Sequence, residues 1–356
     1  IFYLKINLNN WYLIKRCVIV CDANYFLLYV KLQVWRKGLI YDMKILITGG
    51  AGFIGSNLVE KLLADNQIYV VDNLSTGTYE NLKEFENNEN FKFYNMDITN
   101  NKIISFIREN SFDIIYNFAC PASPQYYLEF PIETWESSVL GVRNLLKAIE
   151  GTKVKLFHSS TSEVYGDALK NPQTEDYWGN VNSIGVRACY DEGKRAAEAL
   201  IYDYIRKYDV DVRVARIFNT YGPKMRKEDG RIISNFVNQA LFNENITIYG
   251  EGKQTRSFCY IDDTLDFILK LMSFDKKIPF PINVGNPVEI SVLDVANIIK
   301  NTVNTKSSIV FMDAMKDDPQ KRKPNINKAK EILNWEPKID FNIGLEKTIK
   351  YFAGRK

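Results

Sequence analysis

The sequence predicts an α/β protein with a doubly wound parallel sheet and a smaller C-terminal α/β part. Three observations carry that expectation. A short apolar strand, Lys44–Thr48, runs into the glycine-rich turn Gly49-Gly50-Ala51-Gly52-Phe53-Ile54-Gly55 and then a helix over Ser56–Ala64. Strand-like and helix-like runs then alternate as far as Ile217, in units of the size that crossover connections need. From about Asn219 the pattern changes to shorter elements with more loop.

Each element follows from local pattern. Further strands are expected at Ile68–Val71, Phe91–Met96, Phe112–Phe118, Val154–Ser159 and Val212–Ile217, where apolar residues run together. Helices are expected at Lys102–Glu109, Thr134–Glu150 and Arg187–Tyr208. Asn219-Thr220-Tyr221-Gly222-Pro223 reads as a turn after the last regular strand, and Gly230–Phe236 opens a helix. Residues 43–218 are expected to form a Rossmann-type dinucleotide-binding domain, and 219–356 mainly a substrate domain, with the chain able to cross between them.

Residues 1–42 look different. Their longest apolar runs, Cys17–Cys21 and Tyr25–Val30, are bounded by charged and polar residues. A membrane-spanning helix needs about 20 mostly apolar residues, so no membrane partner is expected. The first methionine, Met43, directly precedes a strand. The functional chain is therefore expected to start there, with the preceding segment disordered or not part of it and a membrane anchor as the minority alternative.

Composition narrows the chemistry. With 356 residues, 46% hydrophobic and 25% charged, the chain matches an ordinary globular protein. A net charge of +3 without a Lys/Arg block gives no reason to expect nucleic acid. Five cysteines without CxxC spacing suit reduced thiols in the cytoplasm. There is one histidine, His158, which argues against a Ser-His-Asp triad, a Cys-His pair or a multi-histidine site, and no metal is expected. Proton chemistry falls to Tyr, Lys, Glu, Asp or Arg, and an organic cofactor would suit it.

The glycine turn supplies that cofactor's first contacts. Gly50, Gly52 and Gly55 fit GxGxxG spacing, while Gly49, Gly52 and Gly55 fit GxxGxxG. Either way, glycines allow a tight turn and close approach to a pyrophosphate at a helix N-terminus, with Phe53 and Ile54 beginning that helix. Asp72, ending the second strand, is placed to accept hydrogen bonds from the adenosine ribose. No Arg follows it in Asn73-Leu74-Ser75-Thr76-Gly77, which favours NAD over NADP. Asp97 and Ile98 end another strand near the adenine position, and Phe118-Ala119-Cys120-Pro121-Ala122 would line the cofactor trough.

Two constellations fall near that trough. Thr161, Ser162 and Glu163 leave the strand Val154–Ser159, and Tyr190 and Lys194 share one helix face at i,i+4. A neighbouring ammonium favours a tyrosine's phenolate, so the pair is expected to work as an acid/base near neutral pH. Further on, Gly230–Phe236, Tyr249–Arg256 and Asp317–Pro324 each carry arginine, which suggests an anionic ligand gripped bidentately.

Taken together, Met43 to the C-terminus resembles the extended short-chain dehydrogenases that act on nucleotide sugars, and within them the UDP-glucuronate decarboxylases. The strings carrying the closer match are Cys120–Pro124, Ser160–Gly166, Glu175–Gly179, Arg187–Arg195, Ala215–Gly222, Asp229–Phe236, Gln254–Arg256 and Asp317–Pro324. The resemblance implies conversion of UDP-glucuronate to UDP-xylose and carbon dioxide through a 4-keto sugar, with bound NAD regenerated. It assigns Tyr190, with Lys194 and Thr161, to the carbon-4 hydroxyl, and Ser162 and Glu163 to the sugar ring and carboxylate. Arg322 goes to decarboxylation and reprotonation. Arg231, Tyr249 and Arg256 go to the UDP portion, with Pro121, Ser123, Asn219, Asn235 and Gln254 also on substrate. It further implies a homodimer through Thr134–Glu150 and Arg187–Tyr208. Departures are the acids Glu133 and Glu136 where the family has lysines, Asn117 for His, and Ser183 and Val186 for prolines. A 4-epimerase, a 4,6-dehydratase and a non-catalytic NAD-binding protein are the rival readings.

Overall fold

The strand Lys44–Thr48 is apolar on both faces and buried along nearly its whole length, as a central parallel strand must be. A computed structural model describes it together with the rest of residues 42–314 and 321–355. The expectations for residues 1–41, and for Asp317 to Gln320, lie outside the described residues.

Seven strands form one parallel sheet in the order Ile282–Val284, Asp211–Ile217, Lys155–Thr161, Ile114–Asn117, Lys44–Thr48, Gln67–Asp72, Phe91–Asn95. Side chains alternate across each strand, so the two faces have separate cores. Ile45 and Ile47 join one core, and Leu46 joins the other. The order reverses between Lys44–Thr48 and Ile114–Asn117. At such a switch point the crossover helices lie on opposite faces and leave a crevice at the carboxyl ends of the strands.

The edge strand Ile282–Val284 corrects the reading of Val212–Ile217 as the last regular strand. Three residues between prolines carry too little periodicity to be seen in sequence. The expected turn at Asn219–Pro223 likewise contains a short strand, Thr220–Tyr221, paired in parallel with Cys259–Tyr260. The charged run near Arg322 is no loop at that point, because Lys321–Arg322 pairs in parallel with Thr255–Arg256.

The expected single helix over Thr134–Glu150 is a helix Pro131–Glu136, a π-helical segment Ser137–Gly141, and a helix Val142–Ile149. Thr134, Ser137 and Ser138 each donate a side-chain hydrogen bond to the carbonyl four residues back, a pattern that bends helices. The segment packs on the helix Ala188–Tyr208 where Gly193 leaves room, since a Cβ there would stand 3.1 Å from the Ser138 Cβ. Among the described residues no helix is long and apolar enough to cross a membrane.

In the C-terminal part Trp335 is almost fully buried, stands edge-on to Phe267 at 5.2 Å and donates to the Asp263 carbonyl at 3.2 Å. Trp335→Ala should destabilise the fold by about 3–5 kcal/mol in urea unfolding. A loss within experimental error would mean that the tryptophan is not part of this core.

Candidate active site

Why the glycines are needed is visible atom by atom. Gly49 has φ +71°, and a Cβ there would lie 2.6 Å from the Ala119 nitrogen. A Cβ on Gly55 would lie 2.4 Å from the Gly49 carbonyl oxygen, so the first turn of the helix Phe53–Leu62 meets the backbone of the glycine turn directly. Gly50 packs against Val70 instead, so of the two spacings Gly49, Gly52 and Gly55 face the cleft. Gly52 caps the helix with no side-chain hydrogen bond, which leaves first-turn N–H groups available to an anion.

Asp72 shapes this loop. One carboxylate oxygen accepts from the Ala51 N–H at 2.9 Å and the other from the Leu74 N–H at 2.8 Å. Burial raises its pKa, and these two hydrogen bonds oppose the rise. Asp97 accepts from Thr99 through one oxygen and from the Asn73 side chain, at 2.8 Å, through the other.

Apart from Gly50, the residues singled out above for catalysis, cofactor and substrate line one cleft. Its floor is the row of strand ends; its far wall comes from Asn219, Arg231, Asn235, Tyr249, Gln254, Arg256 and Arg322. Pro121 and Ser123 close one side, and the Ser123 hydroxyl donates to the Asp229 carbonyl. The Gln254 side chain donates to the Tyr249 carbonyl at 2.8 Å, tying two of the wall residues together.

Tyr190 differs from expectation. Lys194 is near it, with Nζ 5.9 Å from the ring centre, but that nitrogen donates to the Ser159 carbonyl at 2.8 Å. Burial pushes the phenol pKa well up, Cys120 adds to the rise, and a Thr161 hydrogen bond and Arg231 counter it only partly. Desolvation therefore dominates in the protein alone.

Glu163 sits in a one-turn helix, Ser162–Tyr165, capped by the Thr161 hydroxyl, which accepts from the Glu163 N–H. Its Oε2 accepts from Arg322 Nη2 at 2.9 Å and also from Arg187 Nη2. Burial alone would raise the Glu163 pKa, but Arg322, Arg187 and Arg256 outweigh it and hold the carboxyl below its usual range. Arg322 also donates to the carbonyls of Ser162 and Gly166, at 3.2 and 2.8 Å.

Comparison with known proteins turns this geometry into a family. A family model described as GDP-mannose 4,6-dehydratase matches residues 46–348. UDP-glucuronic acid decarboxylase 2 of Arabidopsis thaliana is 46% identical over 327 residues, covering 92% of this chain and 71% of the relative. UDP-glucuronic acid decarboxylase 1 of Danio rerio is 47% identical over 311 residues, covering 87% and 72%. The chain belongs to the UDP-glucuronic acid decarboxylase family. Among solved structures, this family member is similar to UDP-glucuronic acid 4-epimerase of Bacillus cereus in complex with UDP-glucuronic acid and NAD. The TM-score is 0.81 at 27% identity, covering 88% of this chain and all (100%) of the other. UDP-glucose 4-epimerase of Thermotoga maritima, solved with UDP-glucose, gives a TM-score of 0.81 at 29% identity, covering 88% and 99%.

Three residues of this decarboxylase-family site escaped sequence reasoning as functional candidates. Tyr127 stacks on Tyr190 with ring centres 5.1 Å apart and planes 7° from parallel. Arg187 bridges Glu163 and Asp191, the latter at 3.7 Å. Burial and then Glu163 raise Asp191 to about 7. The i,i+4 spacing of Arg187 and Asp191 was a visible signal, but it is common on solvated helices; Tyr127 had none. Glu133 and Glu136 line a side groove with Ser75, Thr76 and Asp97, next to the cofactor loop.

His158 is buried on the sheet. The Asn117 amide donates to its Nδ1 at 3.2 Å; the amide's orientation is set by its oxygen, which accepts from Thr48 at 2.8 Å and Ala119 at 3.1 Å. Burial, with repulsion from Lys194, holds its pKa well below 6.5. The unfolded chain binds a proton at this ring as pH falls through 6.5, and the folded chain does not, so stability should decline below that pH. The single imidazole resonance should stay fixed from about pH 7 down to about pH 5. A midpoint near 6.5 in the folded protein would contradict its buried placement.

Proposed function

We propose that this chain converts UDP-glucuronate to UDP-xylose and carbon dioxide, using NAD that stays bound and is regenerated. The observation that carries the reading is the meeting, in one cleft, of Tyr190 and Thr161 with the Glu163–Arg322 pair. Its support is membership of the decarboxylase family together with the chemistry of these groups.

The cleft fits a dinucleotide. Gly49, Gly52 and Gly55 leave room for a pyrophosphate beside the first-turn N–H groups, with Phe53 and Ile54. Asp72, Asn73, Ser75, Thr76 and Gly77 would hold the adenosine ribose, Asp97 and Ile98 the adenine, and Ala119, Tyr190 and Lys194 the nicotinamide half. When bound, NAD supplies the hydride acceptor and donor at sugar carbon 4.

The chain's own residues do the rest. Tyr190 takes the proton of the carbon-4 hydroxyl, and the Thr161 hydrogen bond favours its ionised form. Lys194, fixed on the Ser159 carbonyl, adds positive charge beside the ring. Once carbon 4 is a ketone, the carboxylate is β to a carbonyl. The carbon–carbon bond can then break with its electrons passing to that oxygen. Arg322 and Glu163, with Ser162, orient the departing carboxylate and the carbon that must be reprotonated. Arg231, Tyr249 and Arg256 hold the diphosphate end, with Asn219, Asn235 and Gln254, while Pro121 and Ser123 flank the sugar. A substrate negative at both phosphates and its carboxylate matches this surplus of arginine.

The reading assigns residues 43–218 to the dinucleotide and 219–356 mainly to the nucleotide sugar. It includes a cytoplasmic location, which suits the free thiols of Cys120, Cys189 and Cys259. It also includes a homodimer. The helical segment from Pro131 to Ile149 leaves Ile132, Trp135 and Leu140 exposed, and a second copy would cover them.

Purified protein given UDP-glucuronate without added reduced cofactor should yield carbon dioxide and UDP-xylose in equal amounts. Recovery of UDP-galacturonate, or of untouched substrate, would contradict the reading. Tyr190→Phe should lower turnover by about 10²–10⁴-fold while the purified protein keeps its NAD. Loss of NAD with that change would make Tyr190 a binding residue only.

A further inference from the structure

Arg322 enters the cleft from a strand of two residues, Lys321–Arg322, hydrogen-bonded to one neighbouring strand. So short a strand needs other support to hold a guanidinium in register. That support comes from two buried amides that do not line the cleft. The Gln173 side chain accepts from the Lys323 N–H at 2.7 Å, and the Gln173 N–H donates to the Lys323 carbonyl at 2.8 Å. The Asn325 N–H then donates to the Gln173 carbonyl at 2.8 Å. Asn283 stands behind them, its Nδ2 donating to the Gln173 and Asn325 carbonyls, both at 3.1 Å.

The same hydrogen bonds continue to the other side of the site. Tyr165 donates to Asn283 Oδ1 at 2.7 Å and accepts from Arg216 at 3.0 Å. Arg216 grips Glu198 through two nitrogens, at 3.0 and 2.7 Å, and Glu198 accepts from the Ser160 hydroxyl at 2.5 Å. Ser160 directly precedes Thr161, and Tyr165 closes the turn that carries Glu163. One buried chain of polar groups thus joins the backbone after Arg322 to the strand end that bears Thr161 and Glu163.

We infer that Gln173 and Asn283 are positioning residues for the reaction, fixing Arg322 against Glu163 through the backbone that follows Arg322. The inference deepens the proposed function and rests on its assignment of Arg322 to carbon dioxide release. Misplacing a reacting group by about 1 Å can cost about 10²-fold in rate, so a support this close to Arg322 should be felt in one step more than the other.

The test is a pair of isotope effects on the holoenzyme turning over UDP-glucuronate. Gln173→Met should lower kcat about 10- to 100-fold. It should also raise the carbon isotope effect at the carboxylate while reducing the deuterium effect at carbon 4. Tyr165→Phe, which removes one hydroxyl from the chain, should shift both effects in the same direction by less. Adding Gln173→Met to Arg322→Lys should cost much less than it does alone, because the two act through one group. A fall in kcat with both isotope effects unchanged would overturn the inference, as would an unchanged kcat or full additivity. Should Gln173→Met not fold, the Tyr165→Phe isotope effects decide alone. If Arg322→Lys itself leaves the carboxylate isotope effect unchanged, the assignment of Arg322 fails, and this inference with it. A response in Arg322→Lys without one in Gln173→Met sinks this inference alone.

Discussion

Glu163 accepts hydrogen bonds from Arg322, 159 residues away in sequence, and from Arg187 at the head of the helix Ala188–Tyr208. That pairing is the constraint on which the rest of the site depends. Arg322 is buried, and Glu163 and Arg187 are largely shielded from solvent, so a charge left there alone would be costly and each member holds the others in place. Through it the C-terminal part, which brings Arg322, is locked to the turn after the strand Lys155–Thr161, which brings Thr161 and Glu163. The cleft between them already has its electrostatics set before any ligand arrives.

Burial acts in the same direction on the two principal groups, but their neighbours give opposite outcomes. It raises Tyr190, and no neighbour in the protein alone fully offsets the rise. It would raise Glu163 too, but three guanidinium groups reverse the sign. In the protein alone the result is a protonated phenol beside an ionised carboxylate, and the positive charge of a bound nicotinamide would favour the phenolate that proton removal needs. The sole histidine is kept out of this by being buried in its neutral form.

How much of this was legible in the sequence depended on whether a feature was local. The glycine turn, Asp72 and the Tyr190–Lys194 pair each carry their meaning within a few residues, and the structure puts them at the strand ends facing one cleft. The strand Ile282–Val284 is too short for its period to register, and only its pairing with Asp211–Ile217 defines it. The break in the helix around Ser137–Gly141 arises from side-chain hydrogen bonds that propensity does not weigh. Tyr127 and the chain from Gln173 to Ser160 gain their roles only from what folds against them. The phenol of Tyr190 is raised in the protein alone because desolvation, which sequence does not show, acts on it alongside the readable ammonium effect.

The central claim is that Tyr190 opens the reaction and the Glu163–Arg322 pair makes it a decarboxylation. Release of labelled carbon dioxide by Glu163→Gln, set beside the appearance of reduced nicotinamide absorbance on the enzyme when UDP-glucuronate is added, tests it most directly. The account predicts that carbon dioxide release falls far more than reduction of the bound NAD. Carbon dioxide released at the wild-type rate, or both signals lost in equal measure, would contradict it.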